Sequence, residues 1–369
     1  MLELRSCLKS EHKSALNLSV KTFKGNMAEQ FHLLLGEQNT DRIFVASEEG
    51  QVVSMVNYYP ATVRLNNFTT KVGSIGSVCT NENYRKQSLA SRLLVLVEKK
   101  MLEENIRIAI ISGDGGIYNR FGSKKVGNVV ARIINRNSLK NKGNIELVEY
   151  SNQYLDEIFK IYQNETLCFL RTREEFEQLL KGQTYPDTFA DYPIILLLSN
   201  HQVKGYIIVN RTFGKRTLLV KEYAGDRETI VNAIPIILRQ YKKFNLTILA
   251  DPTDVINSYL DSVPSQMTDL YASLKIVDFL GFMKDLQPYM QSKLSNLEIQ
   301  KLTYGFQESN FFFQYQESKK LVLDIYQLNQ LILGPSNEMI DLAIDGQLSK
   351  ILAKLFPIPF VWVNNLNYQ

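Results

Sequence analysis

The chain has 369 residues, of which 45% are hydrophobic and 22% are charged, and its 42 basic and 38 acidic residues give a formal net charge of +4. This composition excludes a largely disordered chain, and a prior of about 150 residues per domain predicts two or three globular domains. The charge balance is too mild to predict nucleic acid as a partner, because such proteins concentrate basic residues on one face.

Hydropathy and cysteine usage predict a reduced, cytoplasmic protein. The first twenty residues contain no unbroken apolar stretch of the kind that signal peptides carry. The longest aliphatic run, Ile194–Leu198, is far too short to span a membrane. Cys7, Cys79 and Cys168 are widely spaced and form no C-x-x-C pair, so we expect no structural disulfide.

The predicted elements occur in the same order twice. "LELRSCLKSEHKSALNLSVKTF" and "IELVEYSNQYLDEIFKIYQN" each predict a strand followed by a helix. A hairpin then follows in both copies, with tight turns at Glu48–Gly50 and Ser199–His201, and a strand, a helix and a strand complete each copy. The order β-α-β-β-β-α-β therefore covers about residues 1–143 and 144–264, which favours a duplication over chance.

The last hundred residues follow a different pattern. "SLKIVDFLGFMKDLQPYMQSKL" predicts a short strand running into one amphipathic helix, and the aromatic and aliphatic alternation from Ile299 to Gly334 predicts β structure. "NEMIDLAIDGQLSKILAKLF" predicts a helix interrupted at Gly346. The end, "PIPFVWVNNLNYQ", fits neither element but is too apolar to be a free tail.

A basic turn, Tyr84–Ala90, lies between the predicted strand Ser74–Thr80 and a helix whose apolar stripe is Leu89, Leu93, Leu96, Val97 and Met101. The first N–H groups of such a helix have no intrahelical partner and carry partial positive charge, which suits an anion such as a diphosphate. Arg85 and Lys86 would add charge to that site. The alternative is that Ser88 is an ordinary N-cap and that the basic side chains are only solvated.

Other conspicuous residues predict structural roles. His12, His32 and His201 are far apart and have no metal-ligand spacing. Gly113–Gly116 lacks the Lys-Ser/Thr of a phosphate-binding loop, so we interpret it as a strand-to-helix turn. Cys79 alternates within a strand, which favours a place in the core over a role as nucleophile.

The turn also resembles a known family. "CTNENYRKQSLASRLL" is similar to motif A of the GNAT N-acetyltransferases, [RQ]-x-x-G-x-[GA], with Arg85 and Ala90 at its first and last positions and Ser88 where glycine is usual. "GDGGIYNRFGSKKVG" at Gly113–Gly127 resembles the "GGIYGRFGYG" segment of the Eis-like branch. "VKEYAGDRETIV", "LKIVDF", "LNQLILG" and "LFPIPF" with "LNY" are similar to further pieces of that branch, so the likeness covers nearly the whole chain.

This resemblance implies an α/β (α+β) fold of two tandem GNAT domains with mixed sheets, followed by a smaller α+β domain shaped like a sterol carrier protein. The implied boundaries are 1–143, 144–264 and 265–369. The second domain lacks the motif spacing at "YAGDRETIV", so we expect no cofactor there. Relatives form symmetric assemblies, which implies a homo-oligomer here, either a hexamer or a dimer or trimer.

The resemblance implies acetyl-CoA as cosubstrate and no metal. The pantetheine arm would pair with the backbone of the strand before the turn, the diphosphate would lie on backbone amides from Lys86 to Ser91, and two residues after the next strand would flank the thioester. The cofactor-binding residues implied in this way are Val78, Cys79, Thr80, Arg85, Lys86, Gln87, Ser88, Leu89, Ala90, Ser91, Tyr118 and Asn119.

The implied reaction is direct transfer of an acetyl group to a primary amine of a small molecule or peptide. An amine must be neutral to attack, and with a pKa near 10.4 only about one lysine-like amine in a few thousand is neutral at pH 7. Relatives use a tyrosine as acid and the terminal carboxylate as base; these positions are Ser123 and Gln369 here. Because Ser88 and Ser123 depart from the family pattern, a non-catalytic acyl-CoA or lipid-binding protein and a purely structural assembly stay open.

Overall fold

The computed structural model describes residues 2–113, 115–139, 144–184, 191–335, 341 and 346–367. The strands are β1 (Leu2–Ser6), β2 (Ile43–Glu48), β3 (Gln51–Leu65), β4 (Phe68–Thr80), β5 (Ile108–Ile111), β6 (Lys124–Lys125), β7 (Val129–Asn135), β8 (Ile145–Glu149), β9 (Leu167–Leu170), β10 (Ile194–Ser199), β11 (Gln202–Asn210), β12 (Thr217–Gly225), β13 (Asn245–Ala250), β14 (Ser265–Thr268), β15 (Ser273–Ile276), β16 (Leu302–Gln307), β17 (Asn310–Tyr315) and β18 (Leu321–Leu323).

The helices are α1 (His12–Phe23), α2 (Met27–Gln30), α3 (His32–Leu35), α4 (Leu89–Glu103), α5 (Gly116–Arg120), α6 (Leu155–Gln163), α7 (Arg173–Thr184), α8 (Arg227–Gln240), α9 (Ile256–Tyr259), α10 (Phe279–Asp285), α11 (Gln287–Lys293), α12 (Asn296–Lys301), α13 (Ile325–Leu333) and α14 (Gly346–Leu355). None of these described helices combines the length and the apolar character that crossing a lipid bilayer requires.

The chain divides into two compact units. The first contains the residues up to Asn128 together with Asp269–Val363, and the second contains Val129–Thr268 and the segment that begins at Asn364. Most of the last hundred residues therefore lie in the same unit as the N-terminal segment. The division into three domains, with boundaries at 143 and 264, stays a prediction.

The first unit is built on a sheet with the strand order β1-β2-β3-β4-β5-β15-β6. Its β4–β5 pair is parallel, whereas its hairpins are antiparallel. The β2–β3 turn places Glu49 at φ 51° and Gly50 at φ 80°, which confirms the predicted tight turn. Helix α4 buries Leu93, Val97 and Met101 of the predicted apolar stripe against one face of this sheet.

Helix α1 covers the opposite face of the same sheet. Its Ala15 and Leu18 pack in one cluster with Met55 of β3 and Cys79 of β4. Burial raises the pKa of the Cys79 thiol to about 12, so it stays protonated and serves as core. The prediction that Cys79 is a core residue is confirmed.

The second unit repeats the arrangement. Its sheet has the order β14-β7-β13-β12-β11-β10-β8, again with one parallel pair, β12–β13. The β10–β11 turn places Asn200 at φ 50° and His201 at φ 59°, as predicted from the sequence. Both sheets are mixed and both carry the element order β-α-β-β-β-α-β, with additional short elements, which confirms the predicted mixed α/β class.

The last segment departs from the prediction at one helix. The β structure expected up to Gly334 stops at Leu323, and Ile325–Leu333 is helical. Asp324 is the N-cap of this helix and forms a capping box with Gln327. The Asp324 carboxylate accepts a hydrogen bond from the Gln327 backbone N–H, and the Gln327 side-chain oxygen accepts one from the Asp324 backbone N–H. The β prediction was wrong here because an apolar run fits either element, and the capping pair decides between them.

The single helix expected after β15 is in fact two. Helix α10 ends before Leu286 and α11 begins at Gln287, with Pro288 in its first turn. Of the helix predicted to be interrupted at Gly346, the structure describes α14, which begins at that glycine. In the apolar end of the chain Ile358 and Phe360 are buried, which confirms that this segment is not a free tail.

Candidate functional site

A gap opens between strands β4 and β5 in the first unit. The two strands pair in parallel from Val72 with Ile108 to Ile75 with Ile111, and the described residues show no pairing beyond that point. Strand β4 nevertheless continues to Thr80 and stays paired with β3 on its other side. The β5-facing edge of Gly76–Thr80 is therefore open to an extended ligand that pairs with it like an added strand.

A β-bulge lies inside this open stretch. Met55 of β3 pairs with Cys79 and Asn57 pairs with Gly76, so Ser77 and Val78 together oppose the single residue between them on β3. Ser77 adopts a left-handed backbone conformation with φ 49°. The bulge turns its hydroxyl toward α1, where its Oγ lies 2.7 Å from Oγ of Ser19.

The first turn of helix α4 faces the end of this gap. Ser88 precedes the helix with φ 56° and ψ 20°, and its hydroxyl makes no capping hydrogen bond. Ser88 therefore occupies the N-cap position without capping the helix through its hydroxyl. The first intrahelical bond runs from Arg92 N–H to the Ser88 carbonyl, so the N–H groups of Leu89, Ala90 and Ser91 have no helical acceptor.

A cleft of about 240 Å³ lies at this helix start. The residues that line it all belong to the first unit: Thr80, Tyr84, Arg85, Lys86, Gln87, Ser88, Leu89, Ala90, Ser91, Ile117 and Arg120. The structure thus brings the turn Arg85–Ser91 and the end of β4 to one cleft. Sequence reasoning missed Ile117 and Arg120, although their spacing of three along α5 puts them on one helix face.

The lining that the structure describes for this cleft carries positive charge and contains no carboxylate. Arg85, Lys86 and Arg120 contribute their cations. The guanidinium of Arg85 lies 3.9 Å from the carboxylate of Glu82. Both side chains are exposed, so this ion pair is weak. Within the described part of the chain these cations form no strong ion pair, so they are available to an anionic ligand.

Tyr84 is held at the rim of the cleft by an acidic neighbour. Its hydroxyl donates a hydrogen bond of 2.7 Å to Glu48, and this bond raises the pKa of the phenol. The same interaction fixes the ring beside the basic turn. The sequence stretch contained Tyr84, but nothing in the motif marked it as a lining residue.

The other predicted cofactor residues lie outside the cleft. Val78 and Cys79 belong to the bulged strand, where only their backbone faces the gap. Tyr118 is half-buried, and a Cβ added at Gly113 would lie 2.5 Å from its ring. The side chain of Asn119 is exposed, and its carbonyl accepts a hydrogen bond from Tyr326.

One of the two predicted catalytic groups, Ser123, is enclosed by the protein. Ser123 is 0% exposed, and its hydroxyl donates a hydrogen bond of 2.8 Å to the carbonyl oxygen of Tyr118. A shielded hydroxyl that is already engaged is poorly suited to protonate a leaving group. Gln369 lies outside the described residues.

The corresponding helix start in the second unit is filled by the chain's own carboxylates. Asp226 accepts a hydrogen bond from the Thr229 N–H at the first turn of α8. Glu165 accepts one from the Gly225 N–H and forms an ion pair with Arg227 at 2.5 Å. Two N–H donors at this helix start, those of Gly225 and Thr229, are thus already bound to carboxylates, and the expectation that this unit binds no cofactor stays a prediction.

Metal chemistry finds no support in the part of the chain that the structure describes, because it contains no group of three or more His, Cys, Asp or Glu side chains able to hold an ion.

Comparison with known proteins identifies the N-terminal segment. Residues 3–125 match the family model described as acetyltransferase (GNAT) domain, so the predicted resemblance to GNAT acetyltransferases is confirmed for that segment. The matched range contains the whole candidate cleft. No curated protein matches the sequence.

Solved structures share the fold over nearly the full chain. A GCN5-related N-acetyltransferase from Anabaena variabilis is 14% identical with a TM-score of 0.67, covering 98% of this chain and 100% of its own. A probable N-acyltransferase from Enterococcus faecalis is 14% identical with a TM-score of 0.68 and 98% coverage of both chains. An Eis protein of Mycobacterium abscessus is 14% identical with a TM-score of 0.65, covering 98% and 99%. At this identity the likeness shows the fold alone.

Proposed function

We propose that the protein is an N-acetyltransferase that carries an acetyl group from acetyl-CoA to a primary amine by direct transfer within a ternary complex. One observation carries this proposal. The cationic cleft at the start of α4 adjoins the open edge of β4, so that one ligand with a diphosphate at one end and an extended arm at the other fits both.

The diphosphate would bind at the helix start. Residues Lys86 to Ser91 line the cleft and would offer their backbone N–H groups to it, and Arg85 and Arg120 in the same lining would add positive charge. The helix dipole by itself stabilises an anion by only about 0.3–2 kcal/mol, so several amides must act together. The pantetheine arm would pair with the backbone of Val78–Thr80 as an added strand.

Serine in place of the family's glycine is compatible with this binding mode. Ser88 already has the positive φ for which glycine is usually selected, so the backbone path of the motif is kept. The Ser88 side chain is exposed and the cleft is open with it in place.

Direct transfer agrees with the protonated state of the Cys79 thiol on β4. A covalent acetyl-enzyme needs a thiolate, and the buried Cys79 thiol has a pKa of about 12. The amine nitrogen would therefore attack the thioester carbon itself, forming the C–N bond while the sulfur leaves with the electrons of the C–S bond. The acceptor would be a small-molecule or peptide amine, and the terminal carboxylate of Gln369 is kept as the proposed base.

A second candidate is an acyl-CoA or lipid-binding protein that performs no transfer. One observation favours it: the position of the family's acidic tyrosine is a buried serine, Ser123, whose hydroxyl is engaged by Tyr118. Both candidates require the same cleft to bind CoA, so only turnover separates them.

The test has two stages. Calorimetric titration of the full chain with CoA and acetyl-CoA is compared with the double variant Arg85→Gln, Lys86→Gln and with a control, Lys13→Gln, Lys99→Gln, which removes two exposed charges outside the cleft. We expect at least a tenfold loss of affinity in the first variant alone. Release of free CoA with a panel of amines then follows. Binding without release supports the second candidate, and absence of binding to the unaltered chain contradicts both.

A further inference from the structure

Ser77 has an unfavourable backbone conformation on the open edge of β4. Its φ of 49° lies in the left-handed region, where side chains other than those of glycine, asparagine and aspartate are uncommon. Glycine would adopt this conformation without a steric penalty. Strained backbone positions cluster at functional sites, which makes the contacts of the Ser77 side chain informative.

The hydroxyl of Ser77 contacts a buried serine on α1. Its Oγ lies 2.7 Å from Oγ of Ser19, which is 0% exposed on α1. Among the described contacts Ser19 has no other side-chain partner, so its hydrogen must point to Ser77 or remain buried without an acceptor, which is costly. With Ser19 as donor, the Ser77 hydroxyl keeps its own hydrogen for another acceptor.

The position of Ser77 along β4 matches the end of an extended arm. It lies between Ile75, the last residue paired with β5, and Val78–Thr80, the stretch proposed to pair with pantetheine. Thr80 at the cleft is three residue steps further along the strand, a distance of about 10 Å. A thioester carried by an arm that enters from the cleft therefore reaches the bulge.

We infer that Ser77 is a further catalytic residue, whose hydroxyl donates a hydrogen bond to the thioester carbonyl oxygen as that oxygen becomes an oxyanion. This inference rests on the proposed acetyl transfer. The amine nitrogen forms the C–N bond and the carbonyl electron pair moves to oxygen, where the Ser77 O–H stabilises the charge. When the pair returns, the C–S bond breaks, the thiolate leaves, and the extra proton on nitrogen passes to the proposed base.

This role differs from that of the acid predicted at Ser123. A donor to the oxyanion keeps its proton throughout, so the low acidity of a serine hydroxyl is no obstacle. Positioned donors of this kind act because the oxyanion carries more charge than the ground-state carbonyl. Removing one is therefore expected to change kcat rather than the binding of acetyl-CoA.

The test compares Ser77→Ala with Ser77→Gly in the full chain. Both remove the hydroxyl, but glycine tolerates the positive φ, so the second variant folds even if alanine strains the strand. We expect both to lower kcat on the order of 10²-fold, with KM for acetyl-CoA and the calorimetric Kd for CoA within about twofold. The control is Ser14→Ala on α1, whose hydroxyl accepts a hydrogen bond from Val52 N–H; it should leave kcat unchanged.

The possible outcomes separate the two claims. If both Ser77 variants bind CoA and keep kcat, the inference is overturned while the proposed function stands. If only the alanine variant loses activity, backbone strain explains the loss and the inference is also overturned. A rise in KM at constant kcat would assign Ser77 to ground-state binding and contradict the catalytic role. Absence of CoA binding by the unaltered chain removes the proposed function itself.

Discussion

The hydroxyl of Tyr326 donates a hydrogen bond of 2.5 Å to the carbonyl oxygen of Asn119. Helix α13 thereby contacts the end of α5, the short helix that contributes Ile117 and Arg120 to the cleft. Three residues further along α13, the side chain of Asn329 is 0% exposed and is hydrogen-bonded to two backbone groups. Its Nδ2 donates to the Gly122 carbonyl at 3.0 Å, and its Oδ1 accepts from the Ile276 N–H at 2.9 Å.

The first prediction concerns this buried amide. Asn329→Leu leaves a buried carbonyl and a buried N–H without partners, and each such group costs about 1–3 kcal/mol. We expect the free energy of unfolding to fall by about 2–5 kcal/mol in urea titrations. Tyr326→Phe is the control, because it removes a single hydrogen bond at an exposed site; a fall as large as that of Asn329→Leu would contradict this account.

The second prediction concerns the helix start. Because Ser88 has φ 56°, Ser88→Gly should relieve steric strain of about 1–2 kcal/mol and lose about 0.5–1 kcal/mol to backbone entropy. Thermal unfolding should therefore show equal or slightly higher stability, with CoA affinity retained. Ser91→Gly, within the first turn of α4, should instead lower stability by about 0.5–1 kcal/mol. Equal losses in both variants would show that the strain at position 88 is unimportant.

The third prediction concerns a buried ion pair in the second unit. Arg171 and Glu222 form a two-pronged pair at 2.6 and 3.0 Å, with side chains 1% and 5% exposed, and Tyr206 also donates to Glu222. Glu222→Leu leaves a guanidinium buried without its carboxylate, so the free energy of unfolding should fall by about 3–5 kcal/mol. Asp156→Asn, which breaks the exposed pair with Arg173, should have a much smaller effect.

The fourth prediction is a pH dependence of stability in the first unit. Hydrogen bonds from Arg5, and further ones from Ser47 and the Leu8 N–H, lower the pKa of Glu11 from 4.5 to about 2. A depressed folded-state pKa stabilises the protein above pH 4.5, and this contribution is lost as pH falls from about 4.5 to 2. Glu11→Gln should therefore flatten the stability profile over that window, by roughly 2–3 kcal/mol at most. Glu3→Gln, at the exposed partner of Arg5, should keep the profile.

Much of the fold could be predicted because the deciding interactions are local. Gly50, Asn200 and His201 tolerate positive φ, so the two hairpins could be placed from turn chemistry. The stripe of α4 has helical spacing, and the cations of Arg85 and Lys86 stand next to the helix start in sequence. These local features were enough to predict the side of the cleft that the basic turn and the start of α4 form.

The remaining features depend on contacts between distant segments. Strand β15 pairs with β5, and β7 pairs with β13 in the second sheet. The apolar pattern of a strand does not predict which strand it pairs with. Arg120 reaches the cleft only because α5 folds back beside α4. The strain at Ser77 was hidden too, because the bulge depends on the register between β3 and β4.

The central claim is that CoA binds across the start of α4 and the open edge of β4. Hydrogen exchange of the full chain with and without saturating CoA tests it directly, since backbone amides that bind the ligand become protected. The account predicts slower exchange in peptides covering Gly76–Thr80 and Lys86–Ser91, and no change over Gly225–Thr229 in the second unit. Unchanged exchange at the first two segments, or equal protection of the third, would contradict it.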